Sequence, residues 1–152
     1  MKLLSRLFRT RAEKQQEAER WSLTPFQARL RAAWVVRSAA KLGVELDYTP
    51  ESLANVDFLI DKERQTSVGL TKEMKLVLLS LGAYVGEVMI RHLGARWARG
   101  ADPTSQDPLV LVVGGRYAVN VVSITFRRFL AGDPHSLAKA FEETQKLREQ
   151  GI

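Results

Sequence analysis

The sequence predicts an α+β domain: a buried central helix, about four further helices, and a small antiparallel sheet of three or so strands. Three observations predict it. The run from Leu76 to Trp97, LVLLSLGAYVGEVMIRHLGARW, is the longest apolar stretch, and Glu87 is its one ionisable residue before Arg91. Thr24-Pro25 and Thr49-Pro50 each open a stretch with helical periodicity, since Thr caps a helix and Pro suits its first position. LVLVV and RYAV flank Gly114-Gly115, and a Gly-Gly turn supplies the positive φ angles that tight hairpins require.

The central run is helical and apolar on all sides, so it must be buried on all sides. Thr71 caps it, and Lys72, Glu73 and Lys75 wet only its first turn. A membrane span needs roughly 20 apolar residues and rarely carries a carboxylate, so the run reads as a core helix. Gly82 and Gly86 cost about 1 kcal/mol each against Ala, and four-residue spacing points to another backbone approaching closely. Glu87 on such a helix must be paired, hydrogen-bonded or protonated. It reads as an architectural link to an arginine, to Arg91 one turn on, or to donors in the Gly94–Trp97 turn. Its functional alternative is a general acid or base.

The remaining elements are assigned in chain order. A helix from Thr24 carries the row Phe26, Leu30, Ala33, Trp34, Arg37 and Lys41, with Phe26 and Trp34 read as core, and stops at Gly43. Val44 to Tyr48 is extended. The helix after Pro50 turns Leu53, Val56, Phe58, Leu59 and Ile60 inward and leaves Asp57 and Asp61 on a solvated face. Arg96 to Arg99 is a short strand with Trp97 inward, and 100–108 is a polar loop. A two-residue turn pairs Val112 with Tyr117 and Val110 with Val119. Asn120 leads into a helix over Val121 to Ala131, stopped by Gly132. Asp133-Pro134 starts a last helix with Leu137, Ala140, Phe141, Thr144 and Leu147 inward. Arg127 and Arg128 point about 100° apart.

Charge is unevenly spread. The net charge is +6, yet residues 1–41 hold ten Lys/Arg and three Asp/Glu, leaving 42–152 at −1. Two units follow: a basic amphipathic and polar segment over 1–20, and a single α+β domain over 21–152. Within Met1 to Arg11, Leu3, Leu4, Leu7 and Phe8 share one helical face opposite Lys2, Arg6 and Arg9, which suits contact with an anionic membrane surface or a partner. Arg6 and Arg9 interrupt the apolar region, so it is not a signal peptide. A nucleic-acid binder carries its basic face on the domain, so nucleic acid is disfavoured.

The chain has no cysteine and two histidines, which removes disulfides, thiolate chemistry and a histidine-rich metal site. Asp57 and Asp61 lack the histidine or Gly-rich loop of a metal site. There is no nucleophile elbow, zincin motif or phosphate loop, so no cofactor or metal is called for. Among catalytic candidates only Glu87, Tyr84 and Arg91 remain, and no catalytic residue is assigned.

LDYTPESLANVDFLID (46–61), LGAYVGEVMIRHLGARW (81–97) and GDPHSLAKAF (132–141) together resemble a bacterial domain family of uncharacterised function, with an LGxYxGEVxxRxxGGxW element. The resemblance covers 42–141 and marks Gly82, Tyr84, Gly86, Glu87, Arg91 and Trp97 as signature residues. Ala95 stands where the element has a second glycine. The resemblance implies an α+β domain with no established reaction, some of whose relatives look like toxin–immunity components. The expectation is a non-enzymatic interaction or scaffold module of the bacterial cytoplasm. It has a protein partner and sits peripherally at the inner membrane through its N-terminal segment. The alternatives are an immunity-type binding protein and an enzyme using Glu87.

Overall fold

A computed structural model describes residues 23–99, 109–115, 117–132 and 134–151. The assignments made for 1–20 and for the 100–108 loop therefore lie outside the described residues. Among those described the chain forms α1 (Pro25–Lys41), a 3-10 turn (Pro50–Ser52), α2 (Leu53–Thr66) and α3 (Lys72–Leu93). These are followed by β1 (Arg96–Arg99), β2 (Leu109–Val113), β3 (Tyr117–Val119), α4 (Val121–Ala131) and α5 (Leu137–Glu149). The strands form one antiparallel sheet in the order β1-β2-β3. The fold is α+β, with α3 as its buried axis.

Capping explains most boundaries. Thr24 and Gln27 form a reciprocal capping box at α1, with Pro25 in the first turn. Thr71, Asn120 and Ser136 each accept a backbone N–H three residues on, from Met74, Ser123 and Lys139. The last helix therefore starts at Leu137 behind Ser136, later than the Asp133-Pro134 start expected from proline position.

α3 is buried from Leu76 to Met89 without interruption. By length and composition it could cross a membrane, but 83% of its most apolar window is buried inside the domain. Its layers are α1 on one side, α4 on another, and the sheet beyond its C-terminus. One cluster joins Val35, Val56, Ile60, Leu78, Tyr84, Val88, Leu111 and Phe141 across these layers, and a second joins Leu23, Ala28, Leu76, Leu79, Ala83 and Val122. At about 2 kcal/mol for each fully buried large aliphatic side chain, this core is the main source of stability.

Three expectations about facing are corrected. α1 buries Ala28, Ala32, Val35 and Ala39, while Phe26 is 60% and Leu30 53% exposed. The small-residue row lets α1 lie close to α3; Phe26 and Leu30 are left outside, while Trp34 is half-buried against the core. On α2 Asp57 is buried and Phe58 is half exposed beneath the Lys62 ammonium. In the hairpin Val113 pairs with Tyr117 and Leu111 with Val119, so three positions join the strands instead of two. Gly114 and Gly115 do take positive φ. A one-residue slip exchanges the faces of a strand, and Leu111, Val113 and Val119 are accordingly the buried set.

Candidate functional site

The signature residues lie on two sides of the C-terminal half of α3. On the first side Gly82 and Gly86, one turn apart, leave a shallow trough. A Cβ on Gly82 would sit 2.9 Å from the Cα of Val122, so this glycine admits the backbone of α4. A Cβ on Gly86 would overlap the indole of Trp97 at 2.1 Å, so the second glycine admits that ring. β1 delivers the indole: Gly94 ends α3 in the left-handed region at φ 64°, and the chain turns straight into the strand. Ala95 needs no second glycine, because it is buried without a positive φ.

Trp97 lies along the trough and its Nε1–H donates to Glu87 Oε2 at 3.0 Å. Glu87 is 6% exposed, and its partner is this indole. Arg91, expected as its partner along the helix, instead lies flat on Tyr48, its guanidinium carbon 3.5 Å from the ring centroid. The buried carboxylate is thus hydrogen-bonded to a neutral donor that β1 delivers.

The second side is built around Tyr48, whose φ of 62° is unusual for a residue with a side chain. Four groups hold it. Its N–H donates to Tyr84 Oη at 2.9 Å, and its carbonyl accepts from His92 Nε2 at 2.8 Å. A carbonyl cannot donate, so His92 carries its proton on Nε2. The Tyr48 ring lies 5.0 Å from that of Tyr84, and the Arg91 guanidinium lies over it. Ser52 Oγ donates to the Thr49 carbonyl at 2.6 Å, so at the 2.6 Å Ser52–Tyr84 contact the tyrosine is the donor. A directed relay thus runs from the Tyr48 amide through Tyr84 and Ser52 to Thr49. Burial pushes the Tyr84 phenol above its ordinary value, against the hydrogen bond it accepts from the Tyr48 amide, which lowers it. Burial also raises Tyr48, against the Arg91 charge. Both phenols stay neutral at ordinary pH, and that of Tyr84 serves as a hydrogen-bonding strut.

A third polar centre was not expected. Asp57 accepts from the Leu137 N–H at 2.8 Å, the Ala138 N–H at 3.3 Å and the Ser136 hydroxyl at 2.8 Å. It thus seals the N-terminus of α5, where orphan donors and the helix dipole favour an anion. Arg128 makes a fork to Asp61 at 2.9 and 2.7 Å and approaches Asp57 to 3.9 Å. The Asp57/Asp61 spacing is visible in the sequence, where it suits a solvated face; its partners lie far downstream and carry no local signal.

Outside this polar framework α1 presents a groove of about 370 Å³ lined by Leu23, Gln27, Leu30, Arg31, Trp34 and Arg37. Glu87 does not line it. Among the described residues no buried side-chain nitrogen or oxygen lacks a hydrogen-bond partner, and no group of three or more His, Cys, Asp or Glu is placed to hold a metal. The candidate contact residues Lys2, Leu3, Leu4, Arg6, Leu7, Phe8 and Arg9 lie outside the described residues.

Comparison with curated proteins and with solved structures gives no match. A family model described as a family of unknown function, DUF6278, matches residues 6–147. That span takes in every element described above except the last two residues of α5, and the chain belongs to this family.

Proposed function

We propose that the protein is a non-enzymatic interaction module of the bacterial cytoplasm, brought to an anionic membrane surface by its basic N-terminal segment. The observation that carries this reading is where the accessible chemistry lies. The polar groups of the core are spent on one another: Glu87 on Trp97, Tyr84 on Tyr48 and Ser52, Asp57 on the start of α5. What remains outward on α1 is apolar and cationic. Phe26 and Leu30 are more than half exposed, and the helix carries exposed Arg29, Arg37 and Lys41 with no acidic residue. That face supports the interaction half of the reading; the tether half rests on the sequence, where Leu3, Leu4, Leu7 and Phe8 stand among Lys2, Arg6 and Arg9. Apolar insertion plus several basic residues is the two-signal arrangement that holds a protein at an anionic bilayer.

Sedimentation of the full chain with vesicles tests the tether. The protein is expected to pellet with phosphatidylserine-rich vesicles and not with phosphatidylcholine alone, and to be released by salt. Leu7→Glu with Phe8→Glu removes two apolar contacts and adds two repelled charges. At about 1 kcal/mol per charge near such a surface, the bound-to-free ratio should fall more than tenfold. Equal pelleting of variant and parent would exclude the tether.

A further inference from the structure

We propose that the outward groove of α1 docks an acidic amphipathic helix of a partner protein. This deepens the interaction-module reading by naming the partner's chemistry, and it does not depend on the membrane tether.

The groove has an apolar floor and cationic walls. Leu30 and Trp34 are one helical turn apart, and Phe26 lies one turn earlier on the same face. This row runs about 12 Å along the axis at 1.5 Å per residue, the length over which a partner helix offers anchors at i, i+4 and i+7. Leu23, 7% exposed, closes the floor. On α1 itself the charge around the groove has one sign. The Arg29 guanidinium lies 5.8 Å from the Phe26 ring centroid, Arg37 is exposed at the groove wall, and Lys41 follows one turn on. With no Asp or Glu on α1, the complement is a helix with apolar residues along one stripe and carboxylates beside it.

Shape and charge disfavour the other occupants. A flat bilayer reaches Phe26 and Leu30 but not the recessed Leu23 and half-buried Trp34. A second copy laid antiparallel on the first would face four basic residues with four more. Residues 1–22 hold six Lys/Arg against three Asp/Glu and so bring the same sign as the groove.

The test uses the full chain and two labelled designed peptides with leucines at i, i+4 and i+7. One carries Glu at its flanking positions and the other Lys. Fluorescence anisotropy should show the Glu peptide binding at least tenfold tighter. Leu30→Asp should weaken it at least tenfold, and Arg37→Glu several-fold, with unchanged thermal melts, since both positions are exposed. The Leu7→Glu/Phe8→Glu chain should bind the peptide as the parent does, whatever its behaviour on vesicles. Equal binding of the two peptides, no binding, or indifference to Leu30→Asp would overturn the proposal. So would self-association abolished by Leu30→Asp, or vesicle binding lost with that change. A gain in peptide affinity in the Leu7→Glu/Phe8→Glu chain would show the protein's own segment in the groove, and would overturn it too.

Discussion

Replacing Gly86 with Ala should destabilise the protein by about 2 kcal/mol, and the same replacement should become stabilising once Trp97 is shortened to Val. In the parent the new methyl group occupies the space of the indole. The ring must leave its trough, and overpacking together with the lost Glu87 hydrogen bond costs about 3 kcal/mol. Ala gains back about 1 kcal/mol of helix propensity over Gly. In the Trp97→Val background the clash is absent and only the propensity gain remains. The sign reversal corresponds to a coupling of about 3 kcal/mol, large for a single contacting pair. Urea unfolding of the four proteins of the cycle measures it. Additive effects within about 0.5 kcal/mol would mean that the glycine is not there for the indole.

Asp57→Ala is expected to cost about 3 kcal/mol, from a position whose sequence neighbourhood suggests a harmless surface acid. It deprives two backbone donors of α5 and the Ser136 hydroxyl of their acceptor, and leaves Arg128 held through Asp61 alone among these two carboxylates. Buried donors left unmatched cost about 1–3 kcal/mol each where water cannot reach them. Asp57→Asn keeps one acceptor oxygen and should lose about half as much. The Asp61 side chain is 39% exposed, so solvent screens its pair with Arg128 and Asp61→Ala should cost under about 1 kcal/mol. Denaturant midpoints rank the three, and amide exchange at Leu137 and Ala138 should accelerate in Asp57→Ala before the rest of the core opens. An Asp57→Ala protein as stable as its parent would refute the capping role.

What the sequence discloses depends on how far apart the partners lie. α3, its Thr71 cap, β1 and the glycine-turn hairpin were legible because each rests on periodicity, capping or turn chemistry within a few residues. Gly82, Gly86 and Glu87 stood out because each breaks the local rule for a buried helix. Their partners did not: Val122 and Trp97 fill the glycine trough from other elements, and no spacing rule points from Glu87 to an indole nitrogen ten residues on. Tyr48 gave no warning of its positive φ, because Gly or Asn is the usual occupant there. The α1 face was misread for a definite reason. Both Phe26–Leu30–Trp34 and Ala28–Ala32–Val35–Ala39 repeat at helical spacing, and the larger side chains were assigned to the core. Close packing against α3 favours the smaller row, and Phe26 and Leu30 of the larger row form the exposed surface on which the functional proposal rests, with Trp34 half-buried beside them. The hairpin erred by a single residue, since the turn's length, unlike its glycines, is set by the ladder.

The role of Glu87 is the point on which the account turns, and hydrogen exchange at the Trp97 indole N–H tests it most directly. In a ¹H–¹⁵N spectrum the account predicts a Trp97 indole resonance that exchanges slowly in the parent. It should persist in Glu87→Gln, which keeps an acceptor oxygen, and lose its protection in Glu87→Ala. An indole proton exchanging in the parent as fast as one in open water would contradict it, placing the carboxylate in an accessible cleft instead of under a closed ring.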